Sequence, residues 1–201
     1  MKTIEIEKKV KLDSTHIQTI TRRAILLREI HIHDVYFDTS DYQYTLQNMW
    51  LRQRDQSFEL KVGVKKHNGC VDHYEEITEE RRILRYLGVD SDISIPEALS
   101  LKHLSPFCSF HTYRKTYRLG ELNIDIDEAD FGDLHYQVAE IEMMVSDTSK
   151  IPEAEQKIFH FIQELGIDTS ATIHAKLSYY LYHKRLKHYQ ALVENRVIQP
   201  I

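Results

Sequence analysis

The chain has 201 residues, enough for one domain, and its 42% hydrophobic and 28% charged content supports a packed core and excludes global disorder. A formal net charge of −5 offers no whole-molecule attraction to nucleic acid or anionic lipid. Cys70 and Cys108 are the only cysteines, no CxxC spacing occurs and no apolar run approaches spanning length, so a disulfide framework and a transmembrane helix are excluded and a reducing cytoplasm is expected.

Residues 3–10, TIEIEKKV, set Glu5, Glu7 and Lys9 at every second position, with Ile4 and Ile6 between. In a strand, that spacing sends the three charges to one face and the isoleucines to the other. Residues 14–29 have a cap candidate in Ser14 and apolar positions at 17, 20, 24 and 27, which predicts a helix. Residues 30–39 read as a strand, and 48–63 as a hairpin with polar Asp55–Ser57 between alternating arms. Residues 71–77 predict a short strand. Thr78, with Glu79 and Glu80, opens a predicted helix that closes before Gly88, and Pro96 starts another.

A second hairpin is predicted over 110–132, turning at Gly120, followed by a strand over 135–145. Pro152 suits the first turn of a helix ending near Leu165, with Gly166 as its C-terminal cap. Residues 173–195 predict one long amphipathic helix. The order is α+β around a mainly antiparallel sheet, in one domain over 1–201 that includes the helices at 152–195.

The opening pattern repeats. Arg52 and Arg54 share a strand face, as do Glu59 and Lys61, Asn123, Asp125 and Asp127, and Glu140 and Glu142; Arg114 lies between Tyr113 and Tyr117. A half-wet antiparallel sheet explains such alternation in any one strand. Same-sign pairs on one face repel, however, and mixed spacing would be cheaper if solvation were the only demand. Were the sheet to close, the charged face would become a lumen lined by both signs, suited to a polyanion and a divalent cation.

These residues resemble the CYTH superfamily of triphosphate tunnel metalloenzymes. EIEKK matches its ExExK signature, and WLRQR with FELK, YEEIT, TYRKTYRL, IDIDEADFG, AEIE and HAKLSYYL follow in the family's order, from residue 5 to about 181. Within the superfamily the chain is most similar to the thiamine triphosphatases. The resemblance implies a closed eight-stranded antiparallel β-barrel, a tunnel with helices packed outside, and Mg²⁺-dependent hydrolysis (Mn²⁺ is an alternative) of a terminal phosphoanhydride. It implies metal binding by Glu5, Glu7, Asp125, Glu140 and Glu142, and triphosphate binding by Lys9, Arg52, Arg54, Lys61, Arg114 and Lys176. Trp50 matches an aromatic residue associated with the thiamine ring, and Glu76 an acidic tunnel position. Phe58 stands where the family has a tryptophan.

Arg forks and Lys ammoniums suit phosphate, carboxylates suit Mg²⁺, and phosphoryl transfer needs positioning and charge neutralisation more than a covalent nucleophile. Lys9 with a lowered pKa, aided by Tyr36, is the candidate for activating the attacking water. The expected function is hydrolysis of thiamine triphosphate by a cytoplasmic monomer that takes a small-molecule triphosphate and neither nucleic acid nor membrane. The alternatives are an inorganic triphosphatase, an adenylate cyclase or a non-catalytic polyphosphate-binding module. Three other signals are set aside. His31 and His33 lack a third metal partner of suitable spacing, the glycine of DIDEADFG comes too late for a calcium loop, and the basic turn 183–188 reads as a solvated helix face.

Overall fold

The alternating segments form a ring of strands with an apolar outside and a charged inside. The computed structural model describes residues 4–64, 71–89 and 92–201; Cys70 lies outside them. Among the described residues the strands are β1 (Ile4–Val10), β2 (Ile25–Asp38), β3 (Met49–Arg54), β4 (Ser57–Gly63), β5 (Asp72–Ile77), β6 (Ser105–Leu119), β7 (Leu122–Asp130) and β8 (His135–Val145). They pair antiparallel in the order β1-β5-β4-β3-β2-β6-β7-β8, and β1 bonds to both β5 and β8, so the ring has no free edge.

Of the α-helices in the described residues, the first four cover outer faces and the last two pack beside the cavity. Ile4, Ile6, Ile124 and Ile141 pack beneath α4 (Ile151–Leu165), which contributes Ile158, Phe161 and Ile162, and α1 (Ser14–Arg23) adds Ile20. Met49, Leu51, Leu60 and Ile77 meet Ile83 and Leu84 of α2 (Glu80–Tyr86) and Ile95 and Ala98 of α3 (Ile95–Leu101). A third apolar cluster joins Tyr36, Cys108, Phe110 and Ala129 to Leu177 and Leu181 of α5 (Lys176–Lys184) and Leu192 of α6 (Leu186–Glu194). Where α1 to α4 cover the ring, the strands bury apolar residues outward and leave the polar face for the interior. The third cluster lies instead on the inward face, where Tyr36, Cys108 and Phe110 are in step with Asp34 and Arg114, and α5 packs against it beside the cavity. No helix among the described residues is long and apolar enough to cross a membrane.

Four local expectations change. The helix from Ser14 ends at Arg23 rather than residue 29, because Ile25–Glu29 pair with Lys115–Arg118 of β6 and the ladder outweighs the helical spacing. Its cap is Asp13, whose carboxylate accepts from the His16 amide at 2.9 Å. Likewise Glu79, not Thr78, precedes α2. The long C-terminal helix is two, broken at Arg185, where φ −141° and ψ 54° leave the helical region. The break lets α6 fold back, and His188, on the turn expected to be solvated, is 2% exposed. It stacks on Tyr42 at 4.0 Å and its Nε2 lies 2.8 Å from Thr45 Oγ1.

Candidate functional site

Inside the ring lies a cavity of about 190 Å³. Every residue singled out above for metal, phosphate, organic group or water activation lines it: Glu5, Glu7 and Lys9 of β1, Tyr36, Trp50, Arg52 and Arg54, Lys61, Glu76, Arg114, Asp125, Glu140 and Glu142, and Lys176. All eight strands contribute an inward-facing member, and α5 delivers Lys176 from its first turn.

The acids divide into two groups. Glu5, Glu7 and Glu142 each offer a carboxylate oxygen within 4.8 Å of the others. This all-oxygen donor set fits a hard divalent cation. Asp125 and Glu140 instead face bases. Arg114 pairs with Asp125, grips both oxygens of Asp127 at 2.6 Å, and reaches Glu140 at 2.9 Å. Lys176 pairs with Asp127 and lies 3.3 Å from Glu140. Burial opposes the charge on Glu140, but Lys176, Arg114 and Lys9 outweigh it and hold the carboxyl well below the usual range.

Glu142 has the opposite balance. Burial and the neighbouring carboxyls of Glu5 and Asp125 push it up to about 9, so it holds a proton at neutral pH when no cation is bound. Asn123 Nδ2 donates to Glu142 Oε1 at 3.1 Å and fixes that carboxyl's orientation.

The bases are held in place by acids. Arg54 is gripped by Asp34, and Arg52 donates to Glu59 Oε2 through Nε at 2.8 Å and Nη2 at 2.6 Å. Arg52 also donates to the Tyr36 hydroxyl at 3.3 Å. Lys61 pairs with Glu5 and lies 3.3 Å from Glu76. Trp50 packs in the apolar cluster at the α5 side, its Nε1 donating to Asn48 Oδ1 at 2.7 Å.

The surroundings of Lys9 favour its charged form, opposite to the lowered pKa expected. Its ammonium pairs with Glu7 and lies 3.2 Å from Asp72. Burial disfavours the charge, yet Glu7 and Asp72 outweigh it and raise the pKa well above that of an ordinary lysine. A cation so held is a poor proton acceptor. The Tyr36 hydroxyl accepts from Arg52.

Asp34 was missed in the sequence, and Glu59 and Asp127 were noticed only as alternating charges. The available signal was parity: Asp34 shares a face with Tyr36, Glu59 with Lys61, and Asp127 with Asp125. Which base each would meet depends on strand register, which alternation does not encode.

The comparisons agree with this geometry. The CYTH domain model matches residues 3–175. The chain is 31% identical to thiamine-triphosphatase of Macaca fascicularis, over 84% of this chain and 80% of that protein. It is also 31% identical to the Homo sapiens thiamine-triphosphatase, over 82% and 78%. Among solved structures it resembles PH1819 of Pyrococcus horikoshii (TM-score 0.60, 19% identity, 90% of this chain and 99% of that one). It also resembles HpAC1 of Hippeastrum, described as having a dominant triphosphatase activity (TM-score 0.58, 19% identity, 92% and 97%). At such identities the two structures speak for the fold alone. With the family model spanning most of its length and relatives at 31% identity, the chain belongs to the CYTH domain family.

Proposed function

We propose that this protein hydrolyses thiamine triphosphate to thiamine diphosphate and phosphate in the charged interior of the ring, as a closed tunnel, with Mg²⁺ as the working cation. The observation that carries the reading is the convergence of Glu5, Glu7 and Glu142 beside a wall of fixed bases, in a chain 31% identical to thiamine-triphosphatases. The proposed domain is the whole chain, 1–201, since α5 brings Lys176 to the cavity.

In this reading Arg52, Arg54, Lys61, Arg114 and Lys176 bind the phosphate oxygens, while Asp34, Glu59 and Asp127 keep the guanidinium and ammonium groups aimed. Such preorganisation spares reorientation when charge shifts in the transition state. Glu5, Glu7 and Glu142 would hold Mg²⁺, while Asp125 and Glu140 line the same cavity and pair with Arg114 and Lys176; the ion would supply charge neutralisation at the phosphate oxygens. Water attacks the terminal phosphorus, the bond from that phosphorus to the bridging oxygen breaks, and the electron pair leaves on thiamine diphosphate. Lys9 acts as a fixed positive charge. Trp50 stacks on the thiamine ring.

The ring's lack of a free edge supports a monomer, and a buried free thiol at Cys108 supports a reducing cytoplasm. The test is kcat/KM for thiamine triphosphate, tripolyphosphate and ATP with Mg²⁺ and with Mn²⁺, in wild type and Trp50→Ala. The reading expects thiamine triphosphate to be preferred, and Trp50→Ala to reduce that preference by about tenfold. Equal use of tripolyphosphate, insensitive to Trp50→Ala, would favour the inorganic triphosphatase instead.

A further inference from the structure

Arg28 has no place in the site assembled above, although it lines the same cavity. It is the first residue of β2 after a bulge between Leu26 and Arg28 that interrupts the ladder with β6. Its Nε donates to Thr116 Oγ1 at 3.3 Å, and that hydroxyl donates in turn to Asp125 Oδ1 at 2.6 Å. The Arg28 side chain is therefore tethered to the Arg114–Asp125 pair through one hydroxyl. Every other base lining the cavity is matched to a carboxylate: Lys9, Arg52, Arg54, Lys61, Arg114 and Lys176. Among the described residues, Arg28 makes no ion pair.

Its position gives that spare charge a use. Arg28 and Met144, both exposed, line the cavity at the end where β2 begins, whereas Trp50 and Leu177 line it at the α5 side. Opposite Thr116, Arg28 stands one pleat beyond Arg114, roughly 6.6 Å further along β6. A phosphate chain whose organic end rests against Trp50 runs toward it.

We infer that Arg28 is a specificity-determining residue: its guanidinium forms an anion subsite at the cavity mouth, beyond Arg114, that takes a phosphate past the third. The inference rests on the proposed phosphohydrolase reading. A guanidinium without a carboxylate is free to engage a phosphate through two parallel bonds, which a lysine cannot reproduce.

The test compares wild type, Arg28→Ala and Arg28→Lys on tripolyphosphate and tetrapolyphosphate, by kcat/KM with Mg²⁺ and by calorimetric binding in EDTA. Because Arg28 is exposed, neither substitution threatens the fold. The expected result is a loss in Arg28→Ala that is about tenfold larger on the four-phosphate chain than on the three-phosphate chain, with Arg28→Lys between. Equal losses on both chains, or none, would overturn the subsite while leaving the hydrolase reading intact. A wild-type protein that neither binds nor cleaves either chain would overturn the subsite, and one that also leaves thiamine triphosphate uncleaved would overturn both.

Discussion

Arg54 closes a two-armed ion pair on Asp34, with Nε 2.8 Å and Nη2 2.9 Å from the two carboxylate oxygens. Asp34 is 1% exposed and also lies 3.9 Å from Arg52, so one buried carboxylate compensates two guanidinium groups. Asp34→Asn would take from Arg54 its two-armed partner and from Arg52 a carboxylate more distant than Glu59, which remains. Removing one partner of a buried pair costs about 3 kcal/mol, and the urea midpoint should fall accordingly. kcat/KM should fall with it, because two phosphate-binding groups lose their aim. An unchanged midpoint would show that the pair does not organise the cavity.

Lys9 is predicted to work through charge. Lys9→Arg keeps the cation and should retain activity to within about tenfold, whereas Lys9→Met leaves Glu7 only the more distant Lys61, 3.7 Å away, and should lose far more. Since Glu7 and Asp72 outweigh burial and hold the ammonium well above its ordinary pKa, the pH profile of kcat should show no ionisation that disappears in Lys9→Arg. A basic limb present in wild type and absent in Lys9→Arg would restore Lys9 as a base.

Glu142 couples metal binding to protons. Its folded pKa of about 9 stands above the ordinary 4.5, so in the metal-free protein its contribution to stability is full below 4.5 and is lost as pH rises through 9. A cation must displace that proton. Mg²⁺ binding near pH 7 should therefore release about one proton, and affinity should rise with pH up to about 9. Calorimetry in buffers of different ionisation enthalpy measures this, and Glu142→Gln should abolish it.

How much of this was legible in the sequence follows from what alternation can carry. Glu5, Glu7 and Lys9 announced a charged strand face, and β8 begins and ends where its pattern predicts. Alternation says which residues share a face but not which way the face looks; closure into a ring turned the charges inward, and the resemblance, not the periodicity, suggested it. The 14–29 segment misled because apolar residues at helical spacing also serve a strand whose partner, β6, lies some ninety positions away. Asp34 and the break at Arg185 both depend on tertiary partners, Arg54 and the Thr45–His188 contact, and local propensity carries no trace of either.

His188 ties α6 to the loop before β3 and should make stability pH-dependent. Burial lowers its pKa to about 4 from the ordinary 6.5, with Asp38 opposing. The neutral imidazole therefore contributes stability fully present above 6.5 and lost as pH falls from there toward 4. Between pH 7 and pH 5 the loss should be about 2 kcal/mol, read from denaturation midpoints. His188→Gln should lack this component; an identical pH dependence in both proteins would assign it elsewhere.

The charged interior as a metal-assisted phosphohydrolase site is tested most directly by Glu5→Gln combined with Glu7→Gln. Far-UV circular dichroism should match wild type, since Ile4 and Ile6, which pack β1 into the outer core, are untouched. Mg²⁺-dependent kcat/KM for thiamine triphosphate should fall by at least about a thousandfold. A folded double variant with wild-type turnover would contradict the assignment of these carboxylates to the reaction.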